Sequence, residues 1–546
     1  LRCILTRHFN SPLKVPSHFP HWSGTVFQID LIGHLIGEII IMMKNYITWF
    51  LACSILILVE INYANAQVTT IQSQDWIGTI GNWEDPVNWA YTYNTPQALP
   101  VATIANGGTA ILNQGINASL QSLGLGSSSA NSGSLQMNGG SLWALGGIQV
   151  GSTGTGIVNH SSGGISGGGI NIGGDPGSSG TYNLSAGSLS LYGTLGVSGA
   201  GNFTQSDGTV DAFSLEMDGK YDLTAGQLST SGNQEVGGIF TQSGGTNHNW
   251  GSLVIDNNGT YNLSAGQLSV DLDQELEGFF NQSGGTNTTN FLFIGGNVGS
   301  SGTYNLTAGQ LTGNLFIGRF GGTGTLTQSG GLIVENSLLG LAFGLESGSG
   351  GTYNLNGGVI ILQNIRLGPG TVAFNFGGGT LQASGDFNST LPMMLTGIGG
   401  NANVDTAGHL VTLSGQLGGA GGLNKLGTGT LDLLGNNSYT GDTNVIDGTL
   451  SEKMPCLNDL AAVRLSSDAK LDLNFTGTDA VGTLYLDGLP MALGTWGSSL
   501  SPATHIDDTH FSGSGMLNVT AVPEPSTIAL LFTAAFGGLL WWRRRR

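Results

Sequence analysis

The sequence predicts an all-β chain wound as a right-handed parallel β-solenoid, or β-helix, with about twenty residues per coil and capped ends. Three observations predict it. A motif recurs: Gly180-Thr181-Tyr182-Asn183-Leu184-Ser185-Ala186-Gly187 returns around Tyr221, Tyr261, Tyr304 and Tyr353. Between these copies lies a cousin, Phe203-Thr204-Gln205-Ser206, which returns at Phe240, Phe280 and Leu326. From Tyr182 through Phe203, Tyr221, Phe240 and Tyr261 to Phe280 the steps are 21, 18, 19, 21 and 19 residues. Secondly, most units carry a further short strand with apolar residues at i and i+2, such as Ile170-Asn171-Ile172, Leu215-Glu216-Met217 and Leu253-Val254-Ile255, and such residues share one face. Thirdly, 94 glycines and only 9% charged residues describe many corners between short strands, without the strict glycine period of collagen.

A twenty-residue unit buries no core alone; stacked units do. Roughly a dozen to sixteen coils at about 4.8 Å each give a rod on the order of 60 to 75 Å. The pattern leaves two arrangements of the aromatic strand. If Tyr182 and Leu184 face inward, so do Phe203 and Gln205, which puts a glutamine into alternate coils. Either those glutamines bond to corner backbone, or the aromatic strand faces outward and its rings stack on the surface.

Taken in order, residues 1–42 begin with Leu1 and show neither periodicity nor a charged leader, as expected of translated upstream sequence. Residues 43–66 read as a secretory signal peptide: Lys44, an apolar core over 47–59, and Ala64-Asn65-Ala66 before Gln67 as the cleavage site. A lipoprotein reading at Cys53 fails because the apolar core continues past it. With Cys3 and Cys53 in removed segments, Cys456 remains alone and no intrachain disulfide is expected. Residues 67–126 read as an N-terminal cap. Trp76, Trp83 and Trp89 plug the solenoid end or, as the alternative, form a carbohydrate-stacking platform. Residues 127–375 are the solenoid repeats.

Residues 376–450 contain Gly421-Gly422-Leu423-Asn424-Lys425-Leu426, then Tyr439-Thr440-Gly441 and Gly448-Thr449-Leu450. This stretch resembles the autotransporter-associated β-strand repeat of long secreted passengers. The resemblance implies a parallel β-helix, extracellular placement and no catalysis. No barrel-sized alternating region follows, so self-secretion through an outer-membrane pore is not expected. Residues 451–521 read as a C-terminal cap.

Residues 522–546 join Val522-Pro523-Glu524-Pro525-Ser526 to an uncharged run over 527–542 and then to Arg543, Arg544, Arg545 and Arg546. The run predicts a transmembrane helix in the precursor, with Trp541 and Trp542 at the headgroups and the arginines in the cytoplasm. This order of motif, helix and arginine tail resembles the PEP-CTERM sorting signal of exported bacterial proteins. It implies recognition by an exosortase-type transpeptidase as partner and a transient stay in the membrane.

The whole chain has 15 basic and 34 acidic residues; removing those before Gln67 and after Val522 leaves 7 and 30, a net charge of −23. That balance repels nucleic acid and anionic lipid. Divalent cations suit it better, and Asp271, Asp273, Glu275 and Glu277 are the calcium candidates, although their pattern is first that of a solvated strand face. His505, Asp507, Asp508 and His510 form the one histidine-carboxylate cluster, without a known metal spacing. Gly164-Ile165-Ser166-Gly167-Gly168 spells a nucleophile elbow by letters only, since no helix pattern follows. No catalytic residue, metal site or required cofactor is assigned. The expected function is a non-enzymatic surface or extracellular-matrix protein, structural or adhesive in envelope, biofilm or exopolysaccharide, with polysaccharide or other surface proteins as partners. The alternatives are a polysaccharide lyase or hydrolase and a carbohydrate-binding surface protein.

Overall fold

A computed structural model describes residues 71–93, 99–129, 131–335 and 340–521. The signal-peptide expectation with its cleavage site at Ala64, Ala66 and Gln67, and the sorting motif, membrane helix and arginine tail over 522–546, lie outside the described residues. The described residues form a β-solenoid of about 18 turns. Among the described residues the one helical element is the 3-10 turn Pro86–Asn88.

Each turn lays down three short strands, and like strands of successive turns pair in parallel. On the first face Ser179–Leu184 pairs with Gly201–Gln205, then Lys220–Leu223, Ile239–Gln242 and Thr260–Leu263. On the second, Ser188–Leu191 is followed by Thr209–Ala212, Gln227–Thr230 and Thr246–Asn249. On the third, Thr194–Val197 is followed by Ser214–Met217, Gln234–Val236 and Leu253–Ile255. Alternate residues along these strands are buried and exposed, because successive side chains leave a strand on opposite sides.

The winding is longer than the recurring motif suggests. Strands Val101–Ile104 and Ser122–Leu125 already pair in parallel, and the second face continues to Thr483–Leu486. Residues read as caps therefore contribute coils themselves. Those coils lack the Tyr/Phe motif because smaller side chains, among them Ala102, Ile104, Ala110 and Leu112, fill their interior. Capping proper is done by antiparallel pairs. Ile71–Trp76 pairs with Trp89–Tyr93 at the start, and Gly494–Gly497 pairs with Met516–Val519 at the end.

The aromatic strand faces inward. Tyr182, Phe203, Tyr221, Phe240, Tyr261, Phe280 and Tyr304 are fully buried and form one continuous stack, with ring centroids 4.6 to 5.0 Å apart and interplanar angles of 2 to 17°. In-register pairing of identical strand positions places each ring directly over the last. Each such contact is worth about 0.5 to 1.5 kcal/mol beyond the area it buries.

The corner after this strand needs glycine. Gly208, Gly226, Gly245 and Gly266 have φ of 81, 84, 63 and 86°, a region that costs a side-chain-bearing residue. A Cβ on Gly226 would also stand 2.4 Å from the carbonyl oxygen of Gly208 in the coil below.

Candidate functional site

The polar residues inside the tube answer the question that the motif leaves open. Gln205 Nε2 donates to the corner carbonyl of Gly208 (3.1 Å) and to the carbonyl of Gln227 in the next coil (2.9 Å), while Tyr221 Oη donates to Gln205 Oε1 (2.7 Å). The same set recurs as Gln242 with Gly245, Gln267 and Tyr261, as Gln282 with Gly285, Gln310 and Tyr304, and as Gln328 with Gly331, Val359 and Tyr353. The two flavours alternate because the glutamine of one coil needs the tyrosine of the next. His160 holds the glutamine position in an earlier coil, bonding to Tyr182 Oη (2.9 Å) and to the Gly163 carbonyl (3.2 Å); burial holds its imidazole below the ordinary range. Desolvation raises the buried tyrosines instead.

A second polar bridge crosses the tube. Asn247 Nδ2 donates to Gln234 Oε1 (3.0 Å) and Tyr261 Oη (3.1 Å), and Asn287 Nδ2 repeats this with Gln274 Oε1 and Tyr304 Oη. These groups bond to one another and are closed to solvent, with Gln274 Nε2 and Asn287 Oδ1 left unpartnered. They hold coils in register and offer no substrate a surface.

The tryptophans do not form a platform. Trp76, Trp83 and Trp89 are buried and pack edge to face, with Trp89 4.9 Å from Trp76 and 4.8 Å from Trp83. Trp89 Nε1 donates to the Trp83 carbonyl (2.8 Å). Rings whose faces meet one another leave none for a sugar, so the carbohydrate expectation does not fit this burial.

Nor do the acidic candidates converge. Asp271 pairs with His248 (3.1 Å) and Glu277 Oε1 accepts from Asn297, while Gln274, between Asp273 and Glu275, points inward. Leu272, expected to alternate inward, is half exposed, since it sits at the corner between two faces. His505 stacks on Trp496 (4.5 Å), Asp508 accepts from Ser499 N (2.7 Å), and Asp507 accepts from His510 Nδ1 (2.8 Å). These contacts pin the closing loop. Among the described residues no three His, Cys, Asp or Glu side chains are arranged to hold a metal ion. Ser166 lies in a second-face strand paired with the coils below and above, which rules out a strand-to-helix elbow.

Lys425 is buried and donates to the carbonyls of Leu426 (3.0 Å), Gly427 (2.6 Å) and Asp447 (2.9 Å). Burial pushes its amine down to about 8, against the pull of Asp447 and Asp405. Tyr439 Oη bonds to Thr443 Oγ1 (2.7 Å), and Gly448 turns with φ 69° above Gly427. Lys425, Tyr439 and Gly448, which mark this repeat, are thus used at its turns. Beyond it, Glu452 is fully buried with both carboxylate oxygens unpartnered, and desolvation, with Asp479 adding to it, holds its carboxyl well above the ordinary range. Cys456 is buried beside it, its thiol raised chiefly by burial, which makes a poor nucleophile.

Comparisons with known proteins agree with this geometry. Residues 423–451 match the Passenger-associated-transport-repeat model, and residues 521–546 match the PEP-CTERM protein-sorting motif. The Adhesin BmaC autotransporter of Brucella suis biovar 1 (strain 1330) is 31% identical over 118 residues, which is 22% of this chain and 3% of that protein. No solved structure matches the chain.

Proposed function

We propose that this chain is an exported, non-enzymatic scaffold of the bacterial surface or extracellular matrix, with a structural or adhesive role and an exosortase-type transpeptidase as its processing partner. One observation carries the reading: a solenoid whose buried glutamine and tyrosine side chains join its coils is coupled to a C-terminal segment that matches a sorting motif. The passenger-type repeat over 423–451 and the local similarity to an adhesin support the same placement. Polysaccharide cleavage would need a general acid or base beside a substrate groove; Asp271, Asp507, Asp508, His248, His505 and His510 are engaged in local contacts, and Glu452 is shut in the interior. The test is deletion of the gene in a producing bacterium. Surface attachment or matrix retention should fall and return with the full chain, while purified protein should release no new sugar ends from acidic or neutral glycans. Glycan cleavage by the purified protein would replace this reading with an enzymatic one.

A further inference from the structure

The edge where the second face turns into the third carries exposed rings. Tyr192, Phe213 and Trp250 are 58, 56 and 49% exposed, and Leu272 is 50% exposed. In the second-face register Ser190 pairs with Asp211, Ala212 with Thr230, Thr230 with Asn249 and Asn249 with Val270, so Tyr192, Phe213, Ser231 and Trp250 follow one another at the corner, and Leu272 lies one residue past that position. Four successive coils therefore supply Tyr192, Phe213, Ser231 and Trp250 to this corner position, and Asp271 holds it in the fifth. A glycine, Gly232, follows Ser231 beside the Phe213 ring. A Cβ at Gly232 would be 3.5 Å from Cε1 and Cζ of Phe213, so that ring leans along the edge across the neighbouring coil.

Two residues before each ring, a second column faces outward on the second face. Ser190, Asp211, Ser229, His248 and Ser269 are paired in register. His248 also packs on Trp250 (4.3 Å) and holds Asp271 at 3.1 Å. Rings beside hydroxyls, carboxylates and an imidazole suit a ligand with an apolar C–H face and a hydroxyl rim. The coil pitch, seen in the 4.6 to 5.0 Å spacing of the inner rings, is close to the advance of one pyranose unit in an extended β-linked chain. Contiguous exposed apolar surface marks an interaction site on a soluble protein. Charge selects the occupant: Asp211 and Asp271 flank the rings, and the mature chain has 7 basic against 30 acidic residues. Acidic glycans and a second copy of this chain are both disfavoured.

We propose that this edge is a binding track for a linear neutral or amine-bearing polysaccharide lying parallel to the solenoid axis. It deepens the surface-scaffold reading by naming a partner, yet it stands on the ring column and not on the sorting tail.

The test uses the purified full chain in affinity electrophoresis through gels containing hydroxyethyl cellulose, chitosan or alginate. The full chain should be retarded by at least one of the first two. The Tyr192→Ala/Phe213→Ala/Trp250→Ala variant should bind about tenfold more weakly or worse, consistent with three lost ring contacts. Trp250→Phe should keep more binding than Trp250→Ala, and Leu460→Ala, an exposed site away from the column, should change nothing. Failure of the full chain to bind either glycan, undiminished binding by the triple variant, or strongest binding to alginate would each overturn the proposal. So would a triple variant that loses self-association while glycan binding stays. If cell attachment survives loss of glycan binding, the track stands and adhesion lies elsewhere. If attachment occurs with no glycan bound by the full chain, the track falls and the surface reading stands.

Discussion

Gln205 lies in an apolar tube, and its three hydrogen bonds explain how a polar side chain is kept there. Removing it strands the Tyr221 hydroxyl, a buried orphan that costs about 1 to 3 kcal/mol, and takes one hydrogen bond from the Gly208 carbonyl, which keeps the Gln227 N–H, and one from the Gln227 carbonyl. Gln205→Leu should therefore destabilise by roughly 2 to 3 kcal/mol, and pairing it with Tyr221→Phe should recover about 1 kcal/mol; denaturant unfolding of the three variants measures the coupling. Glu335 gives a pH test. It is buried, its Oε1 accepts from Leu315 N (2.6 Å), its Oε2 has no partner, and burial pushes it up to about 7 against the Leu315 bond. The folded state then holds its proton more tightly than the unfolded chain, so this contribution is full below about pH 4.5 and is lost as pH rises through about 7. Glu335→Gln cannot ionise. It should leave the melting temperature near parent at pH 5 and raise it at pH 8, by on the order of 1 to 3 kcal/mol in stability. An equal shift at both values would mean that the carboxyl is not the source. The bond from glutamine to corner backbone is one of the two arrangements that the sequence offers, and it is the one found; the tyrosine partner is not legible, because Gln205 and Tyr221 are 16 residues apart and Gln328 and Tyr353 are 25 apart. Only the register of stacked coils brings them together.

At the scale of the coil, alternation and register can be separated by deletion. Lys220, Ile239 and Thr260 hold the same position in successive coils. Deleting Tyr221 through Thr260, 40 residues (260 − 221 + 1), joins Lys220 to Tyr261 in register and gives Gln205 a new tyrosine partner. Deleting Tyr221 through Ile239, 19 residues (239 − 221 + 1), keeps register but sets Phe203 against Phe240 and leaves Gln205 without a hydroxyl. Deleting 221–230 breaks register outright. Thermal unfolding should rank them in that order, the two-coil deletion mildest, because a solenoid coil interacts mainly with its neighbours. A one-coil deletion as stable as the two-coil one would show that alternation is not what pairs the flavours. Much at this scale is readable from the chain: the twenty-residue step, the two flavours and the glycine corners. The coils over 101–125 and up to 486 are not, since Ala102, Ile104 and Leu484 repeat no motif. Nor is the exposed ring column, whose members belong to no repeated phrase and meet only at a corner.

The described residues form a tube closed at both ends by antiparallel strands, with the tryptophans shut inside the first cap. Closing the ends hides the unpaired strand edges that would otherwise template aggregation. Tryptophan spacing alone could not separate plug from platform, because burial depends on the antiparallel return of Trp89–Tyr93 onto Ile71–Trp76. Such a tube is suited to long-lived display, and where it is displayed rests on the segment matching the PEP-CTERM motif. The most direct test is therefore the distribution of the protein between the surface of intact cells and the medium, compared for the full chain and a chain ended at Ala521. The full chain should be held at the surface, accessible to added protease, and the shortened chain should be exported and found in the medium. Identical distribution of the two, or retention of the full chain inside the cell, would contradict sorting by the tail and with it a surface function.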